Sequence, residues 1–202
     1  MTASDPKDDL HHYLQSAREA LVWKLDGLKE YDLRRPLTPT GTNLLGLVKH
    51  LSGVELLYLG TAFDRHFEAP PVWFGQDMEP NADMWATDGD SREHVVDTYR
   101  QAWAHSDATI EALDLDAVGY VPWLSGARMT LRRILVHLLA ETERHAGHAD
   151  VVRELIDRAV GRHPGDDQMA PGADGQMTPR DQQWWDTHRN KIEQAARQAS
   201  QR

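Results

Sequence analysis

Apolar residues recur along this chain every three or four positions, the spacing of amphipathic helices, and no stretch shows the clear alternation of a half-buried strand. Five helical stretches follow. The first runs from about Asp5 to Glu30, with Leu10, Leu14, Ala17, Leu21, Leu25 and Leu28 on its face. It stops before the prolines of Arg35-Pro36-Leu37-Thr38-Pro39. The second, near Thr42 to Arg65, opens on a threonine cap and carries Leu44, Leu47, Val48, Leu51, Val54 and Tyr58. The third spans about Ser91 to Leu113, where Asp90 followed by Glu93 resembles a capping box. The fourth, Thr130 to about Val160, is closed by Gly161 and Pro164. The fifth starts at Thr178-Pro179, with proline at a first helical position, and carries Trp184, Trp185 and Ile192.

Two long connections interrupt this pattern. His66–Gly89 is rich in Pro, Trp and Met, and Asp114–Arg128 holds Tyr120-Val121-Pro122-Trp123, a candidate short extended piece. Loops of this length carry function or disorder, and their tryptophans favour loops packed over a mouth or a partner. Four long helices with a crossover predict an all-α fold, a four-helix bundle with long crossover loops and an extra C-terminal helix. The expected division is a bundle over residues 1–162, a linker over 163–177 and a C-terminal helix over 178–202 that packs on the bundle.

The fourth helix breaks its own pattern. Leu131, Leu135, Leu138, Thr142, His145, Ala149, Val152 and Ile156 form its apolar stripe, and most of its charged residues fall on the opposite side. Glu141 does not. It sits one turn before His145 on the buried edge, beside His148, in a row with Ile134 and Leu155. A carboxylate withdrawn from water needs a cation, a hydrogen-bond donor or a metal.

Composition narrows the classes. The formal net charge is −10, with 32 acidic against 22 basic residues, and no basic run stands out, which argues against a nucleic-acid partner. No apolar run approaches membrane-spanning length and no hydrophobic leader opens the chain, so a cytoplasmic location without a membrane partner is expected. There is no cysteine, which excludes disulfides, cysteine nucleophiles and zinc–thiolate sites; any thiol chemistry needs a thiol from outside.

Bundles build metal sites from facing helices, so the second helix should answer Glu141 and His145. It offers His50, in the helical row Asn43, His50, Leu57, while Lys49 points away from that row. Two nitrogens and one oxygen suit Zn²⁺, and also Ni²⁺ or Fe²⁺, with a position left open for water or substrate. Each residue also has a plainer reading. Glu and His four apart stabilise a helix modestly, and a single histidine at an apolar edge is most often a core residue. His148 competes as a fourth ligand, an outer-sphere donor or a general base. His137 reads as packing, Glu55 as a salt bridge across the bundle, and His11 and His12 as residues of a frayed end.

The segments LLGLVKHLSGVELLYLG and LRRILVHLLAETERHAGHADVVREL resemble the two motif helices of the DinB-like (YfiT-like) metal-binding bundle superfamily. They are most similar to the actinobacterial branch of DinB or mini-circle proteins, over about Leu10–Gly161. The resemblance implies a metal held by His50, Glu141 and His145. Many members carry histidine where this chain has Glu141; glutamate there resembles the mycothiol-dependent maleylpyruvate isomerases and implies a preference for harder ions. It further implies a thiol-dependent S-transferase, using a mycothiol-type cosubstrate and a small electrophilic substrate, with homodimers common. His148 is the candidate catalytic residue. Two alternatives stay open: a metal-dependent hydrolase with His148 or Glu55 as base, and a non-catalytic, stress-related metal-binding bundle.

Overall fold

The computed structural model describes residues 5–74, 78–166 and 181–200. Most of the expected linker, and the Thr178-Pro179 helix start, lie outside the described residues. The chain divides into two compact units, Met1–Ala159 and Val160–Arg202. The first contains α1 (Pro6–Trp23), α2 (Glu30–Arg34), α3 (Leu44–Glu55), α4 (Arg92–Ala112), the hairpin β1 (Val118–Val121) and β2 (Ala127–Thr130), and α5 (Leu131–Asp157). The second contains α6 (Gln182–Ala199), capped by the Asp181 side chain. Apart from the hairpin, the described residues outside loops and turns are helical, as expected of an all-α bundle.

The caps explain the boundaries. Asp5, Asn43, Ser91 and Thr130 each accept a hydrogen bond from a backbone N–H of the first turn. Thr130 caps the helix at the position where the fourth helix was expected to begin; Asn43 and Ser91 take the roles expected of Thr42 and of the Asp90 box. The first helix ends earlier than its periodicity suggests, at Trp23, and the chain re-forms one short helix, α2, before the prolines. The second is likewise interrupted: after Glu55 one π turn, Leu56–Gly60, and one 3₁₀ turn, Thr61–Phe63, replace the α ladder. Tyr120 and Val121 of the expected extended piece lie in β1; the pairing with β2 was not foreseen, because four residues per strand are too few for alternation to register.

α1, α3, α4 and α5 form the bundle. Lys7 Nζ donates to the carbonyl of Leu113, and His11 meets Asp107, so α1 and α4 are antiparallel. Lys49 reaches Asp90 at the start of α4, and Arg65 reaches Thr109 further on, so α3 and α4 run parallel. That direction forces the long crossover between them.

The core has two apolar clusters. One joins Leu21 and Leu25 to Leu44–Leu51, Val95, Tyr99 and Val152. The other joins Leu14 to Leu59, Ile110 and Leu131–Leu138. Between them every helix contributes buried polar side chains: Arg18 from α1, Glu55 from α3, Ser106 from α4, Thr142 and His145 from α5. The apolar ends stabilise the bundle by roughly 1.5–3 kcal/mol per large side chain buried. The middle layer has to be stabilised by pairing instead.

Candidate metal centre

Arg18 and Glu55 meet in that layer as a bidentate pair, Nε to Oε1 at 2.7 Å and Nη2 to Oε2 at 2.6 Å, both side chains fully buried. Burial works against the Arg18 charge, but Glu55 and Asp107 outweigh it and hold the guanidinium charged. Both Glu55 oxygens are thus engaged, as the bridge reading expected, which removes Glu55 as a candidate base.

A second polar cluster opens toward the surface one and a half turns earlier on α3. His145 Nε2 lies 3.0 Å from Glu141 Oε1, and His50 Nε2 lies 3.7 Å from the same oxygen. The rings of His50 and His145 are 4.9 Å apart and inclined at 64°. One ligand atom from each of the three residues lies within 4.8 Å of the others. Burial opposes ionisation of Glu141, yet the hydrogen bond and charge of His145, with His50 behind it, hold its carboxyl below the ordinary range. Burial, then the neighbouring His50, pushes His145 down, against the pull of Glu141. Low basicity keeps an imidazole lone pair free at neutral pH.

The donor set fits a divalent cation. Three side chains from two helices bring two nitrogens and one oxygen within 4.8 Å of one another, a donor set that suits zinc and related divalent ions. His50 adds an independent sign: its Nδ1 is 2.6 Å from Asp83 Oδ2. A carboxylate on the far nitrogen fixes the tautomer that leaves Nε2 as an acceptor, the arrangement found behind metal-binding histidines. The bond from His50 is also the main reason the Asp83 carboxyl sits below its ordinary range.

Asp83 belongs to the crossover between α3 and α4 and was not foreseen from the sequence. Two glycines let that crossover down onto α3. A Cβ at Gly46 would lie 1.9 Å from the carbonyl oxygen of Met84, and one at Gly53 would lie 1.9 Å from the Phe74 ring. His50 sits between these notches, and Asn43 below them donates to the same Met84 carbonyl. Glycines one turn to either side of a site histidine were the available signal. Lys49 also surprises: pointing away from His50, it is nonetheless buried, bonded to the Trp85 carbonyl and Asp90 and lying 4.9 Å over Trp73. Beyond Asp83 the crossover and the π turn enclose a cleft of about 600 Å³, with Leu56, Leu57, Phe67, Trp73 and Phe74 on its walls.

The row Ile134, Glu141, His148, Leu155 is not uniformly buried. Ile134 is 0% exposed, the Glu141 side chain 27% and Leu155 61%. Residues seven apart drift by about 20° per step, so the row winds from the core to the surface and crosses the boundary at Glu141. His148 is exposed, its ring 5.4 Å from that of His145, outside the three converging residues. His137 packs on Tyr58, with the rings 4.7 Å apart.

A family model described as mycothiol-S-transferase matches residues 9–158. The chain belongs to the mycothiol S-transferase family. The match takes in all four bundle helices except the first residues of α1, together with His50, Glu141 and His145. No curated protein matches the chain significantly. Among solved structures, a conserved protein from Enterococcus faecalis superimposes with a TM-score of 0.58 at 15% identity, covering 76% of this chain and 98% of that one. That likeness speaks for the fold alone. No helix among the described residues is long and apolar enough to cross a membrane.

Proposed function

We propose that this protein is a metal-dependent S-transferase joining a low-molecular-weight thiol of the mycothiol type to a small electrophile. The observation that carries the reading is the convergence of His50, Glu141 and His145 in a member of this family. A divalent metal held by those three residues would supply the positive charge that keeps a thiol deprotonated at neutral pH.

The residues of the chain do the rest. Asp83 holds the His50 ring in one orientation, and the glycine notches hold Asp83. Glu141 keeps its charge at the edge of the core, so the centre faces outward where a cosubstrate can reach it. His148, edge-on to His145 and exposed, contacts the incoming thiol and orients it or takes its proton. The absence of cysteine from the chain accords with a nucleophile brought in from outside. In the reaction an S–C bond forms, the bond from carbon to its leaving group breaks with its electron pair, and the thiol proton passes to solvent.

Metal analysis of tag-free protein tests the reading first. One equivalent of a divalent metal is expected, lost in Glu141→Ala, together with mass-spectrometric detection of a mycothiol adduct formed from a model electrophile. Protein without stoichiometric metal, and with thermal stability indifferent to chelators, would overturn it. The same measurement identifies the metal, for which zinc is the first candidate.

A further inference from the structure

The cleft beside the candidate metal centre has a chemistry of its own. Its volume of about 600 Å³ falls within the roughly 300–1,000 Å³ of small-molecule sites. Its walls are the aromatic rings of Phe67, Trp73 and Phe74 and the side chains of Leu56, Leu57 and Met78. The π turn sets the adjacent Leu56 and Leu57 both along the cleft, and Gly53 lets Phe74 press against the α3 backbone between Leu57 and His50. Leu57 lies seven residues beyond His50, roughly 10 Å along the axis, with the π turn beginning just before it.

The polar groups of the cleft are few, and both of its formally charged ones are acidic. They are Thr61, His66, Glu79 and Asp83, with His66 paired to Asp64 at 3.0 Å. Such a wall offers little to a polyhydroxylated thiol, which would strand its hydroxyls against rings, and it repels anions. It suits a flat, uncharged apolar molecule that packs on the partly exposed rings of Phe67 and Phe74 above the buried Trp73.

We infer that the cleft walled by Leu57, Trp73, Phe74 and Asp83 binds an uncharged aromatic or similarly apolar molecule, the electrophile of the proposed transfer. The assignment of this molecule as electrophile rests on the S-transferase reading. The thiol sulfur then forms its S–C bond at the ring carbon, the leaving group departs with the bonding pair, and the thiol proton goes to water.

Two arms test it. In the first, calorimetry measures binding of unreactive 2,4-dinitroaniline to metal-free protein. Saturable binding is expected, weakened by about tenfold or more in Leu57→Arg and in Ala82→Trp, which fills the cleft from a partly exposed position, and retained in His50→Ala. Binding that is absent, or unchanged in both variants while circular dichroism shows them folded, overturns the inference. In the second, the loaded enzyme is assayed with mycothiol and either 1-chloro-2,4-dinitrobenzene, which releases chloride, or iodoacetamide. Leu57→Arg should lower kcat/KM for the aromatic reagent by about tenfold while changing that for iodoacetamide by less than about threefold. An equal fall for both overturns the role of the cleft. No adduct with either reagent overturns the transferase reading, and the calorimetric arm still decides the cleft.

Discussion

Two carboxylates on neighbouring helices, Glu55 and Glu141, stand in the same middle layer of the bundle and have opposite fates. Glu55 is fully buried, and both of its oxygens are taken by a guanidinium that also reaches Asp107. Glu141 is partly exposed, and its contacts are histidines, which supply lone pairs as readily as protons. The first cluster matches donors to acceptors and is closed. The second gathers possible ligand atoms within 4.8 Å of one another, and two of its three side chains are partly exposed. Burial of a charge alone therefore does not mark a site; an excess of lone pairs facing an opening does.

The comparison breaks most visibly at its closed half. Arg18→Met should destabilise the fold by about 3–5 kcal/mol, because it leaves the Glu55 charge buried and alone. For a chain of this size that is roughly 10 °C in Tm by differential scanning calorimetry. Adding Glu55→Leu should return most of it, since the pair is then replaced by apolar volume. At the open half the response inverts. Glu141→Gln should abolish metal binding while moving the stability of metal-free protein by only about 1 kcal/mol, as expected for an i,i+4 contact at the edge of the core in which the amide still reaches His145. A loss comparable to that of Arg18→Met would make the two clusters equivalent.

Smaller changes refine the boundary. Asp83→Asn should weaken metal affinity by about 10–100-fold, the usual cost of losing an outer carboxylate, with little change in Tm. Equilibrium competition with a chelator reads this directly. The smallest effect belongs to the Lys49–Asp90 contact that pins the end of the crossover. Burial works against ionisation of Asp90, but the Thr87 backbone N–H and Lys49 hold its carboxyl below the ordinary aspartate range. A depressed folded pKa contributes stability that is present above the unfolded value and fades as pH falls through the folded one. Wild type should therefore exceed Asp90→Asn by roughly 1 kcal/mol at neutral pH in chemical denaturation; the difference should begin to shrink near about pH 4 and close only below the depressed folded pKa.

The helices were legible from periodicity, which also brought His50, Glu141, His145 and His148 into view; the resemblance then singled out the first three, which converge. Leu131 to Ile156 marks the face of α5 against which Glu141 appears out of place, and the row Asn43, His50, Leu57 marks the side of α3 that meets it. The interruption of α3 by a π turn was not legible, since Leu56–Gly60 is as apolar as the helix before it. Asp83 was invisible for a different reason. It lies 33 residues from His50, in a stretch with no period, and its place is fixed by the Gly46 and Gly53 notches rather than by any pattern of its own. The tilt of the Glu141 row follows from helix geometry, yet only neighbours decide where along the row solvent begins.

The parallel course of α3 and α4 reaches beyond packing. A hairpin between them would have finished in a few residues; running both the same way obliges the chain to travel the length of the bundle before it can start α4. That obligatory excursion carries Asp83, Trp73 and Phe74, so wiring and recognition are inherited together. A rewired bundle with the same four helices in alternating directions would keep His50, Glu141 and His145 in place and lose the wall beside them. In such a fold the proposed centre is a property of the helices, and the cleft proposed beside it is a property of the path between them.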